Sequence, residues 1–158
     1  MNVSDSREAV IKKNYTSMAF KALSEAEAQA DEVDLLGTVS QAARQLLSDK
    51  KETEKTEMIV IASGLSTVSP LDFTKGYLFC TPDEVVERVR SKNALPDLSF
   101  LDSVVLLGVG DVTAPQEKLS AHQVKDLKAI WKAIFEAAGC SHVTFAPDLT
   151  ENSQKQHT

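Results

Sequence analysis

The sequence predicts an α/β domain with a mostly parallel sheet flanked by helices, and three observations predict it. Short, apolar, largely β-branched runs stand at Met58–Ala62 and Val104–Gly108, with a third short run at His142–Phe145. Runs of that kind suit strands covered on both faces. Other segments place apolar residues at steps of three and four, the spacing of one helix face. From Met58 onward the two patterns alternate, as parallel strands joined by helical crossovers require.

The elements follow in order. From about Ser6 to Ala30, Ile11, Tyr15, Met18, Ala19, Ala22, Leu23 and Ala26 line one face of a long helix. A break at Asp31-Glu32 precedes a second amphipathic helix, with Leu35, Leu36, Val39, Ala42, Ala43, Leu46 and Leu47 on its face. Gly37 weakens that helix by roughly 1 kcal/mol relative to Ala and permits close packing. The mixed charge run Asp49–Lys55 reads as a solvated linker. Met58–Ala62 is then a strand, and Leu71–Phe79 either an edge strand or an extended loop. Thr81-Pro82-Asp83-Glu84 starts a helix for a stated reason: Thr81 caps it, Pro82 suits its first position, and Glu84 completes a capping box. Val85, Val86 and Val89 form its buried face, and Asn93 ends it ahead of Leu95-Pro96. After the Val104–Gly108 strand, Ser120-Ala121-His122-Gln123 is a second capping box. It opens a helix faced by Val124, Leu127, Ile130, Trp131, Ile134, Phe135 and Ala138, with Gly139 as its left-handed terminator. Three strands are few for a doubly wound sheet. Either Leu71–Phe79 conceals one, or a leading strand is missing.

Bulk properties exclude several functions. A chain of 158 residues with 42% hydrophobic and 25% charged residues has the size and composition of one globular domain. Residues 1–149 are expected to form it, with 150–158 a polar, disordered tail. Acidic residues outnumber basic ones 23 to 17, a net charge of −6, which disfavours nucleic acid and anionic lipid. No apolar run approaches the ~20 residues of a membrane span, and Met1–Ser6 lacks a leader pattern, so a soluble chain is expected. Cys80 and Cys140 have no metal-ligand spacing; two small buried hydrophobes is the favoured reading, with one bridge still open.

Chemistry in such a sheet sits beyond the carboxyl ends of the strands. Two loops qualify: Ser63-Gly64-Leu65-Ser66-Thr67, and Gly108 to Gln116 with Gly110, Asp111 and Thr113. Neither holds a phosphate-binding glycine frame, and Ser63 lacks the G-x-S-x-G setting of an elbow nucleophile, because Ile61 stands in the first glycine's place. His122, His142 and His157 lie in a cap, at a strand start and in the tail, where none is placed as a base. Asp83 and Glu84 read as first-turn helix carboxylates, and Trp131 as core. No catalytic residue, cofactor or metal site emerges.

Four segments together, Asp34–Leu47 (DLLGTVSQAARQLL), Ile59–Phe73 (IVIASGLSTVSPLDF), Ala94–Ser99 (ALPDLS) and Leu106–Gly139, resemble von Willebrand factor A-like domains. The likeness is to those found ahead of OmpA-like domains in bacterial envelope proteins. The resemblance implies a Rossmann-like sheet and a protein-binding role in the cell envelope or outside the cytoplasm, with targeting segments outside this chain. It also implies where a metal-ion-dependent adhesion site would stand, and there the site is dismantled. Ser63 occupies the aspartate position ending the strand, Val33 that of a threonine, and Asp111 is the one carboxylate left at the rim. Asn2-Val3-Ser4-Asp5-Ser6 matches the family's D-x-S-x-S with Asn for Asp, but no strand precedes it. Mg²⁺ prefers oxygen donors that include one or two carboxylates.

The leading expectation is therefore a non-catalytic protein-interaction or scaffolding module with a degenerate adhesion site and no cofactor. Its partner would meet a rim of Ser63, Gly64, Ser66, Thr67, Gly110, Asp111, Thr113 and Gln116. The alternative is a small-molecule or nucleotide-binding α/β domain, an enzyme or a binding domain, with a pocket between those two loops; a third reading is a spacer.

Overall fold

A computed structural model describes residues 32–52, 55–112 and 118–146. The expected first helix, Asn2–Ser6 and the polar tail with His157 lie outside the described residues. Helix α1 spans Leu35–Asp49. Asp34 caps it, accepting the Gly37 N–H at 2.8 Å. A Cβ at Gly37 would come within 2.1 Å of that carboxylate, so a larger residue there would displace the cap. Leu35, Leu36, Val39 and Ala43 form its buried face.

Three parallel strands make the main sheet: β1 (Glu57–Ile61), β4 (Ser103–Leu107) and β5 (Val143–Ala146), in the order β1-β4-β5. Glu57 to Ile61 lie opposite Ser103 to Leu107, and Val104 to Leu107 opposite Val143 to Ala146. The parallel α/β architecture is as the alternation of patterns predicts. One expectation is corrected. The sequence reading makes Met58–Ala62 a central strand buried on both faces, but β1 is an edge among the described residues. Met58 and Val60 are buried while Ile59 and Ile61 are half-exposed. An apolar run looks alike at the edge and at the centre; only the pairing tells them apart, and β4 holds the central place.

Leu71–Phe79 adds no strand to that sheet. Two-residue β2 (Thr67–Val68) and β3 (Leu71–Asp72) pair antiparallel around Ser69-Pro70, which is cis. Two single-turn 3₁₀ helices follow, Phe73–Lys75 and Tyr77–Phe79. The local chemistry explains this. Asp72 accepts from both the backbone N–H and the hydroxyl of Thr74, and Gly76 takes a left-handed φ of 81°. Those bonds curl a segment whose composition also fits a strand.

Both capping boxes form. Thr81 and Glu84 open α2 (Pro82–Ser91), and Ser120 and Gln123 open α3 (Ala121–Ala137). The Thr81 N–H, then the Thr81 hydroxyl, hold the Glu84 carboxyl below its ordinary range. Asn93 (φ 53°) and Gly139 (φ 107°) take left-handed conformations just past the two helix ends, the second as expected; for Asn93 the sequence predicts only a helix end. α2 packs against α3, burying Val85 and Val89 with Leu127, Ile130, Ile134 and Phe135. Each such side chain contributes about 1.5–3 kcal/mol on leaving water. The loop after α2 is tied to the end of α3 by Leu98 N–H donating to Ala138 O at 2.8 Å. Among the described residues no helix is long and apolar enough to cross a membrane.

Candidate functional site

The carboxyl ends of β1 and β4 bring the two predicted loops together. The Gly110 N–H donates to Ser63 O at 2.8 Å, so Ser63-Gly64 and Gly110-Asp111 are neighbours. Gly110 is required twice over. Its φ is +88°, and a Cβ would lie 2.7 Å from a Val124 methyl on α3. Thr113 and Gln116 lie outside the described residues.

Three of the six described rim residues turn inward. Ser66 is fully buried, and its hydroxyl donates to Val33 O at 2.9 Å. Thr67 makes the matching pair: its N–H donates to the same carbonyl at 2.9 Å, and its Oγ1 accepts the Val33 N–H at 2.8 Å. Three hydrogen bonds thus clasp Val33, just ahead of α1, to the loop after β1. The residue that the family resemblance puts at a threonine position acts here through its backbone. Gly64 is buried too, and its carbonyl accepts the Trp131 indole N–H at 2.8 Å. Trp131 is fully buried beside Phe135, ring centroids 5.8 Å apart, so the core reading of it holds. A buried indole N–H needs an acceptor, which is the one sequence signal that hinted at this bond; nothing in the sequence named Gly64 as the acceptor.

Among the described residues, Ser63 and Asp111 are the rim side chains left with freedom to meet a ligand. Ser63 is half-buried, with Oγ accepting a long 3.4 Å bond from the Leu65 N–H, and Asp111 is exposed. Among the described residues no group of three His, Cys, Asp or Glu is placed to hold a metal ion. The described concavities lie elsewhere. One of about 500 Å³ runs between α1 and the Asn93–Asp97 loop, and one of about 480 Å³ between α2 and α3. Neither of these is lined by the Ser63–Thr67 loop or by Gly110-Asp111.

The other candidates are accounted for by local structure. His122 is exposed and 3.4 Å from Asp126; His142 is exposed, its Nδ1 3.3 Å from the Ser141 hydroxyl. Cys80 and Cys140 are both free thiols, the first half-buried and the second buried. Asp72 is buried, yet the Thr74 hydroxyl above all, with the Lys75 ammonium 3.6 Å away, holds its carboxyl below the usual range. Sequence reasoning missed Phe79. Its ring is 90% exposed at the end of the Tyr77–Phe79 turn, and the Arg88 guanidinium lies 5.2 Å from the Tyr77 ring centroid alongside.

Compared with protein-family models, with curated proteins and with solved structures, the chain matches none.

Proposed function

We propose that this domain is a non-catalytic protein-interaction and scaffolding module of a bacterial cell envelope, von Willebrand A-like and Rossmann-like in its sheet, with a degenerate adhesion site. The observation that carries the reading is Phe79, an aromatic ring 90% exposed on a turn fixed between Gly76 and the Thr81 cap. Tyr77, two positions before it, and Arg88, whose guanidinium lies over the Tyr77 ring, are side chains of the kind that anchor protein interfaces. The inward bonds of Ser66, Thr67 and Gly64 support the same reading, because they take those groups away from any ligand. The family assignment and the envelope setting rest on the sequence resemblance.

Affinity capture from an envelope extract tests it with three baits. Proteins held by the wild-type chain and by Asp111→Ala, but released by Phe79→Ser, are the expected result. Equal capture by wild type and Phe79→Ser sinks the interaction reading. Micromolar Mg²⁺ binding by calorimetry that disappears in Asp111→Ala overturns the degenerate-site part. A thermal shift with a nucleotide or phosphate ligand supports the small-molecule alternative instead.

A further inference from the structure

Ser66-Thr67 is bonded on two sides at once. Towards the start of α1, the Ser66 hydroxyl donates to Val33 O at 2.9 Å, and Thr67 pairs with Val33 through its N–H at 2.9 Å and its Oγ1 at 2.8 Å. Towards the surface turn, Ser66 O accepts the Phe73 N–H at 2.9 Å, and Thr67 lies opposite Asp72 in the β2–β3 pair. Ser66, Asp72 and Phe73 are all buried. From Asp72-Phe73 the chain runs straight into the turn that carries Phe79. The Asp72 carboxylate accepts the Thr74 N–H at 3.0 Å, and the Phe73 ring meets Tyr77 edge-on with centroids 6.4 Å apart. The Phe79 and Cys80 N–H groups then close on Gly76 O and Tyr77 O. On its far side the turn is held separately, by the Thr81 cap and by Arg88 over Tyr77, so Ser66-Thr67 governs one of its two attachments. Buried hydrogen-bonded groups do not shift singly, because a broken bond strands a donor or acceptor where water does not replace it. Movement of the backbone at Val33 therefore either carries Ser66-Thr67 and Phe73 along, or removes the bonds that keep Ser66-Thr67 in place for Phe73.

We infer that Ser66-Thr67 is a latch that couples the backbone position at Val33 to the presentation of the Phe79 ring. With the clasp closed, the turn is held in one place. With it open, the β2–β3 pair and the turn behind it loosen, and the ring loses its fixed position for a partner. Closed and open clasp are the two arrangements that coupling between separate sites requires. Such coupling runs both ways, so a partner held at Phe79 also stabilises the clasp. Ser66 and Thr67 are positioning residues and touch no partner themselves. The effect on capture rests on the reading of Phe79 as an interaction anchor; the coupling between clasp and turn does not.

Amide hydrogen exchange followed by NMR on the full chain reads the coupling. Thr67→Val should speed exchange about ten-fold at Val33 and, away from the substitution, at Phe73, Phe79 and Cys80, as a stranded buried donor allows. Val124 and Ala138, amides near the two ends of α3, should keep their rates. Ser66→Ala leaves both Thr67 bonds to Val33 and should give the same pattern at about three-fold. From the other side, Asp72→Asn should speed Val33 by about three-fold. Acceleration confined to Val33 overturns the assignment. So does equal acceleration at Val124 and Ala138, which would make the clasp a bond of the whole fold. Unprotected Phe79 and Cys80 amides in the wild type overturn it too, since the turn is then never held. Capture from an envelope extract separates the latch from the interaction reading, and Thr67→Val is expected to release part of what Phe79→Ser releases. If Phe79→Ser captures as the wild type does, the interaction reading falls and the exchange pattern still decides the latch. If Phe79→Ser releases the partner while Thr67→Val leaves exchange at Phe73 untouched, the latch falls and the interaction reading stands.

Discussion

Two loops of this domain invert the usual rule of polar outside and apolar inside. Ser63–Thr67 is built of small and hydroxylated residues, yet Ser66 is fully buried and Gly64 nearly so. Tyr77–Phe79 is aromatic and apolar, yet Phe79 stands 90% exposed. The difference lies in what each loop must satisfy. The first meets the backbone of Val33 and the Trp131 indole, and its hydroxyls and carbonyl are the partners those groups need inside the protein. The second has its backbone bonded within its own turn, through Cys80 N–H to Tyr77 O and Phe79 N–H to Gly76 O. Its exposed ring satisfies nothing inside the fold. A buried polar loop therefore reads as architecture, and an exposed ring on a fixed turn reads as a surface for something else.

The contrast can be broken at its strongest point first. Trp131→Ala removes a fully buried side chain and leaves Gly64 O without its donor, so a loss of about 3–5 kcal/mol is expected. Urea unfolding followed by circular dichroism measures it, since the one tryptophan reporter is gone. A change under 1 kcal/mol would mean the indole bond is incidental to the loop. Thr67→Val keeps the shape and deletes the acceptor of the Val33 N–H. Stranding that donor is expected to cost about 1–3 kcal/mol, with faster hydrogen exchange at Val33 as the local readout.

On the other side of the comparison the effects are smaller. Thr81→Ala removes the cap that follows the exposed turn, worth about 1 kcal/mol. It also changes the acid profile. Glu84 titrates below its ordinary value of 4.5 in the folded chain because the Thr81 N–H, and after it the Thr81 hydroxyl, donate to it; the substitution removes only the hydroxyl. A depressed carboxyl stabilises the fold above its unfolded value and loses that contribution as pH falls through the folded one. Melting temperature should therefore drop somewhat less steeply below pH 4.5 in Thr81→Ala than in the wild type; parallel curves would leave the whole effect with the backbone N–H, which the substitution keeps. Phe79→Ser should alter stability least, by no more than about 0.5 kcal/mol. A much larger loss by thermal melting would make Phe79 a structural residue and erase the contrast.

Legibility in the sequence followed sequence distance. The faces of α2 and α3, both capping boxes, the end of α2 near Asn93 and the left-handed end at Gly139 are decided within a few neighbouring residues and were readable before the fold was known. Leu47, by contrast, read on the buried face of α1, is 50% exposed. Leu71–Phe79 stayed ambiguous because its apolar content fits a strand, while the bonds of Asp72 to Thr74 that curl it depend on side-chain geometry. Of the predicted rim, the meeting of Ser63 with Gly110 was foreseeable from the strand-end rule, whereas the inward turn of Ser66 and Thr67 was not. A serine's letter is the same whether its hydroxyl faces water or a buried carbonyl.

By itself, then, the sequence determined the α/β class, the parallel order of patterns and the helix boundaries, because period and capping are local properties of the chain. Only the tertiary structure decided that β4 is central and β1 an edge, that Val33 is clasped from a loop 34 positions away, and that Trp131 closes on Gly64 across 67. Those choices depend on which groups meet after the chain has folded back on itself, and no local pattern encodes the partner of a backbone N–H or carbonyl.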